Sequence, residues 1–100
     1  MNIRFVEEAQ SEFLDAISDY EDARSGLGRS FKDEVERSVL WIADHPELYR
    51  LRPGDYRRIN LRVFPYYIPY IVREEILWIL AVAHASRKPH YWISRRGEIA

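Results

Sequence analysis

The sequence predicts an α+β domain, a mainly antiparallel sheet with a two-helix hairpin packed on one face. Three observations lead there. The hydrophobic period changes from two residues to about 3.6 at Glu7 and returns to two at Tyr56. The two helical stretches are joined by the tight link Gly26-Leu27-Gly28, and the three strand-like stretches after Pro53 leave room only for local hairpin connections. The implied order is β-α-α-β-β-β in a single domain over residues 1–100, because two separate cores would each fall below the ~50 residues at which a domain supports itself.

The first strand is Ile3 to Val6, where Ile3 and Phe5 alternate with Asn2 and Arg4. In the first helix Ala9, Phe13, Ala16, Ile17 and Tyr20 form an apolar stripe, with Glu7 and Glu8 at the positive end of its dipole. Gly26-Leu27-Gly28 ends it, since glycine accepts the left-handed conformation that follows a helix. The second helix runs roughly from Arg29 to His45 on the stripe Phe31, Val35, Val39 and Ile42, and Pro46 halts it. Pro53-Gly54 is the middle pair of a type II turn. Tyr56 to Phe64 then alternates, Arg58, Asn60 and Arg62 outside against Ile59, Leu61 and Val63 inside. Tyr66 to Arg73 is the next strand, in which Pro69 calls for a bulge or an unpaired edge position. Glu74-Glu75 reads as the hairpin turn, although neither residue favours the positive φ of the common two-residue turns, which leaves a longer or displaced loop as the alternative. Ile76 to Ala83 is apolar on both faces, as a central strand covered on both sides would be.

Composition excludes several function classes. Apolar residues at 47% support a packed core, and that eight-residue apolar run is far shorter than the ~18 a membrane-spanning helix needs. The N-terminus lacks the features of a secretory signal, so the chain is expected in the cytoplasm, with no membrane partner. There is no cysteine, and the three histidines have no i, i+4 pairing, so no metal and no cofactor is expected. The net charge of −1 conceals a division: residues 1–47 carry twelve acidic against five basic side chains, and residues 48–100 four acidic against ten basic. Such a split suggests a basic surface for a polyanion or an acidic protein.

Residues 84–96, His-Ala-Ser-Arg-Lys-Pro-His-Tyr-Trp-Ile-Ser-Arg-Arg, gather six titratable or cationic side chains and two aromatics. Two readings are open. In one, arginine, histidine and tyrosine hold a phosphate and exchange protons at it, the minimum for RNA cleavage without metal. In the other, Tyr91, Trp92 and Ile93 close the open face of the sheet while the arginines stay in water.

The element order, Arg62-Val63-Phe64-Pro65-Tyr66-Tyr67-Ile68-Pro69-Tyr70, and the pattern His-x-x-Arg-x-Pro-x-Tyr-Trp beginning at His84 resemble the RelE/ParE superfamily of bacterial type II toxin-antitoxin toxins, over nearly the whole chain. The His-x-x-Arg-x-Pro pattern and long helical hairpin are more similar to the ParE branch. That branch implies a DNA gyrase inhibitor without catalytic residues, neutralised by a cognate antitoxin whose C-terminal segment wraps the sheet and helices. The RelE branch implies a ribosome-dependent mRNA endonuclease, with His84, Arg87 and Tyr91 as its catalytic candidates. This sequence departs from the nuclease pattern at Tyr67, where an arginine would stand, and in using Arg57, Arg58 and Arg62 rather than lysines. A degenerate member acting only as a binding module is the third alternative. Target contact is expected from Arg58, Arg62, Arg87, Trp92, Arg95 and Arg96, and antitoxin contact from Trp41 and Trp78. Self-association as a homodimer through the apolar last strand is left open.

Overall fold

The computed structural model describes residues 1–99. The chain forms β1 (Asn2–Phe5), α1 (Glu7–Ala23), α2 (Leu27–Asp44), β2 (Arg57–Asn60), β3 (Tyr66–Arg73), β4 (Ile76–Ile79) and β5 (Ala83–His84), and closes with a 3-10 helix at Ile93–Glu98. The spatial order is β1-β4-β3-β2, with β5 following β4 along the same side of β3. β1 runs parallel to β4 and every other pair is antiparallel, so the α+β expectation holds with a mixed sheet.

The helical hairpin is locked by a residue of α1. Neither helix has a side-chain cap at its own N-terminus, but the Glu21 carboxylate accepts the amides of Gly26 (2.9 Å) and Gly28 (3.0 Å), two donors at the start of α2. Gly26 takes φ +89°, and a Cβ on Gly28 would lie 2.5 Å from the Ile17 carbonyl oxygen. The second helix therefore starts inside the link, two residues before the expected boundary. Its inner face meets an aromatic cluster, with Phe31 at 5.1 Å from Tyr20, 5.1 Å from Phe64 and 4.9 Å from Tyr66.

Pro69 sits mid-sheet rather than at an edge. Tyr70 faces Ile79 and Tyr67 faces Ala83, so three steps on β3 oppose four on the other side. The extra residue is a bulge between β4 and β5, opposite the proline that has no N–H to donate. The single strand expected over Ile76–Ala83 is thus two short ones. Leu77, Ile79, Leu80, Ala81, Val82 and Ala83 are buried, whereas Ile76 and Trp78 are half-buried.

Glu74 and Glu75 form a two-residue turn between the paired residues Arg73 and Ile76, both at positive φ (52° and 63°). The loop is neither longer nor displaced; the sheet imposes a primed turn on residues that disfavour it. β2 ends at Asn60, four residues before the end of the alternation. Glu34 on α2, itself buried, accepts the amides of Arg62 (2.5 Å) and Val63 (3.3 Å) and pulls the chain away from the ladder. Val63, expected inside, is 79% exposed as a result.

The sheet has the helices on one face, where Tyr66 meets Phe31, and the C-terminal tail on the other, where Tyr67 meets Trp92. No helix among the described residues is long and apolar enough to cross a membrane.

Candidate functional site

The tail is fastened to α1 through Glu12. Its carboxylate lies at the edge of the Ala9–Phe13–Ala16 stripe and accepts both terminal nitrogens of Arg95 (2.9 and 3.1 Å), the Tyr91 hydroxyl (2.6 Å) and the Val82 amide (3.1 Å). Arg87 reaches the same carboxylate at 3.4 Å and lies 3.7 Å from the Tyr91 ring centroid, with Arg95 at 5.2 Å. Burial, followed by the hydrogen bond to Glu12, pushes the Tyr91 hydroxyl far above the ordinary tyrosine range. A phenol so held donates permanently to a carboxylate, which opposes its release of a proton to another group.

Trp92 is fully buried, and its indole N–H donates to the Tyr67 hydroxyl at 2.9 Å. Its ring packs edge-on against Tyr56 (4.7 Å) and His90 (5.7 Å), and the Tyr56 hydroxyl is hydrogen-bonded to His90 Nε2 at 2.9 Å. Arg58 lies over the outer part of this layer, 4.7 Å from the Tyr67 ring centroid, with its Nε buried and unpartnered among the described residues. His84 packs edge-on to Tyr66 at 5.0 Å, and its Nδ1 accepts the Ser86 amide (3.0 Å) and is 2.7 Å from the Ser86 hydroxyl. The neutral ring therefore carries its proton on Nε2.

Between α2 and the end of β2 lies an open groove of about 800 Å³ lined by Glu34, Arg37, Trp41, Tyr49, Arg62 and Val63. Trp41 is 46% exposed there, and its ring packs 3.9 Å from that of His45. β2 is the edge strand beside the groove.

The family model described as the ParE toxin of the type II toxin-antitoxin system parDE matches residues 3–89. The chain belongs to the ParE toxin family. Among solved structures, it is similar to a chain of the chromosomal ParDE toxin-antitoxin system from P. aeruginosa, with TM-score 0.73 and 15% identity over 86% of this chain and 97% of that one. It is also similar to the isolated E. coli RelE toxin, with TM-score 0.64 and 17% identity over 98% of each chain. At these identities the likeness is one of fold. No curated protein matches. The chain is thus a toxin of a type II toxin-antitoxin system, and an antitoxin is its partner.

Within this ParE-family fold the expected site residues divide. Arg87 and Tyr91 come together at Glu12, joined by Arg95, whose side chain is only 12% exposed. Trp92, expected at a target surface, is part of the core because the tail must cover the second face of the sheet. Arg58 and Arg62, expected on one face, separate where Glu34 ends β2: Arg58 lies over Tyr67 and Arg62 lines the groove. Arg96 lies against the Pro53-Gly54 turn, donating to the Gly54 carbonyl. Trp41 is exposed, whereas Trp78 is half-buried with the Arg4 guanidinium 5.9 Å from its ring. No cluster of metal-ligating side chains occurs among the described residues. Sequence reasoning missed Glu12, Glu21 and Glu34. The signal available was a carboxylate flanking an apolar helical stripe, in a chain whose other half is basic.

Proposed function

We propose that this toxin acts by inhibiting DNA gyrase and does not cut mRNA. The observation that carries this reading is the 2.6 Å hydrogen bond from the Tyr91 hydroxyl to Glu12. Metal-free RNA cleavage needs a base for the 2′-hydroxyl, an acid for the leaving oxygen and fixed positive charge at the phosphate. Tyr91, the candidate acid, is committed to a carboxylate, and Arg95 beside it is neutralised by that same group. Gyrase inhibition asks only for a surface, and Arg58, Arg62 and Arg87 supply exposed or half-exposed positive charge for one. Arg95, Arg96 and Trp92 serve that surface by holding the tail in place.

The antitoxin, in the same proposal, anchors on Trp41 in the groove beside β2. An exposed indole among Arg37, Arg62 and an open strand edge suits a segment that carries acidic and apolar side chains. The half-buried Trp78 offers less to such a segment.

Purified toxin should inhibit gyrase supercoiling and leave mRNA intact on translating ribosomes. Cleaved messenger, with cleavage lost in His84→Ala or Tyr91→Phe, overturns the reading in favour of the nuclease. Inactivity in both assays, with antitoxin binding retained, identifies a binding module.

A further inference from the structure

Glu34, Ser38, Trp41 and His45 follow one another at helical spacing along one flank of α2. His45 closes the helix, its N–H donating to the Trp41 and Ile42 carbonyls at 3.0 and 3.2 Å. The side chain then folds back on the preceding turn. Its Nδ1 lies 3.0 Å from the Trp41 carbonyl oxygen, and its ring is 3.9 Å from the Trp41 ring between centroids, at 31°. The indole is thus backed on one face by the imidazole while 46% exposed beside the groove.

A carbonyl oxygen only accepts, so Nδ1 carries the proton of the neutral ring and Nε2 is the atom that takes a second one. Protonation therefore adds a charge at the indole and leaves the bond to the Trp41 carbonyl in place. A cation over an indole face is attracted to it, so the stack survives the change.

The titratable and charged groups around this ring are Asp44 and Glu47 in its own turn, Arg37 on α2, and Glu34, Tyr49 and Arg62 along the groove. Glu34 is occupied by the amides of Arg62 and Val63. The last turn of α2 has no basic residue, and no ion pair engages Asp44, His45 or Glu47 among the described residues. With a neutral imidazole, the end of α2 beside Trp41 presents two carboxylates and the negative end of a helix dipole. That charge opposes an acidic partner, and a second proton on His45 offsets part of it at the indole itself.

We propose that His45 is a positioning residue for the antitoxin: its ring holds Trp41 in place for the acidic segment, and its protonation tightens the grip on that segment. This rests on the anchoring of the antitoxin at Trp41 argued above. The hold strengthens as pH falls from ~8 to ~5.5, the range in which histidine changes charge and carboxylates of the segment remain ionised.

One test uses the toxin alone. An imidazolium in contact with an indole quenches its fluorescence, so tryptophan emission should fall between pH ~8 and ~5.5. His45→Gln keeps a donor for the Trp41 carbonyl but cannot titrate, and should lose part of that fall. His90, which packs against Trp92, is common to both proteins and cancels in the comparison. A second test follows binding of the cognate antitoxin by calorimetry. Affinity should rise ~3-fold over the same pH range and the rise should shrink in high salt. His45→Gln should bind more weakly and without the rise, and His45→Lys, charged throughout, should bind independently of pH. Unchanged affinity in Trp41→Ala would overturn the anchoring at Trp41 and this proposal with it. Lost affinity in Trp41→Ala, with a rise that persists in His45→Gln or is absent from the unaltered toxin, would overturn this proposal alone, as would equal quenching in the unaltered toxin and His45→Gln.

Discussion

The Glu12 carboxylate receives both terminal nitrogens of Arg95, a residue 83 positions away in the chain. Side-chain exposures of 16% and 12% put the pair largely out of water, so removing one member strands the other. Glu12→Ala should lower the unfolding free energy by about 3 kcal/mol in urea denaturation. Arg87→Ala should cost under about 1 kcal/mol, because Arg87 is 54% exposed and its contact with Glu12 is long. Equal effects of the two would mean that the tail is not anchored through Arg95.

Glu34 makes a second long-range tie. Glu34→Ala leaves the amides of Arg62 and Val63 without acceptors and should cost about 1–3 kcal/mol. Hydrogen exchange locates the effect: protection at Arg62 and Val63 should drop while that of Ile68 and Leu77, in the core of the sheet, persists.

Glu74 and Glu75 both occupy the left-handed region, at a cost of ~1–2 kcal/mol each for an ordinary L-residue. Replacing them by Asn-Gly should stabilise the protein by about 1 kcal/mol, seen as a Tm raised by ~4–8 °C. An unchanged or lowered Tm would mean that the turn is not strained in solution.

Gly28 is constrained by space. Gly28→Ala puts a methyl group 2.5 Å from the Ile17 carbonyl, which is backbone and cannot swing aside. The hairpin must open, and a loss of about 2 kcal/mol or more is expected. Gly97→Ala, where a Cβ meets nothing within 4 Å, serves as the control and should be nearly neutral.

Alkaline pH should destabilise the fold in a defined window. Tyr70 is raised to about 12 by burial, and Tyr91 is raised by burial and by its bond to Glu12. A group whose pKa is higher folded than unfolded contributes stability that is complete below the unfolded value, about 10, and lost as pH climbs through the folded one. Unfolding free energy should therefore fall from pH ~10 toward ~12. Tyr91→Phe should flatten part of that decline. A decline already complete below pH ~10 would refute the assignment.

Much of the fold was legible because it rests on periodicity. The stripe Phe31, Val35, Val39 and Ile42 and the alternation around Ile59 state which side of each element is inside, and the doubly apolar Ile76–Ala83 required the cover that the tail provides. What could not be read depends on contacts distant in sequence. Nothing local to Glu34 announces that it will take the amides of Arg62 and Val63, or to Glu12 that it will meet Arg95. The early end of β2, the outward turn of Val63 and the separation of Arg58 from Arg62 all follow from one such contact. Trp92 illustrates the same limit at the candidate site: a tryptophan among arginines suits a binding surface and a sheet cover equally well until Tyr67 and Tyr56 are in place on either side of it.

The position of β2 at the sheet edge bears on how the toxin tells itself from its inhibitor. An unpaired strand recruits any extended segment, a copy of the same strand included. Two copies of Arg57–Asn60 laid edge to edge would crowd four guanidiniums, Arg57 and Arg58 from each, into one short ribbon, and like charges so placed repel. A segment bearing carboxylates meets attraction at the same edge. Charge at this edge thus disfavours the pairing of two copies and favours a segment that carries carboxylates.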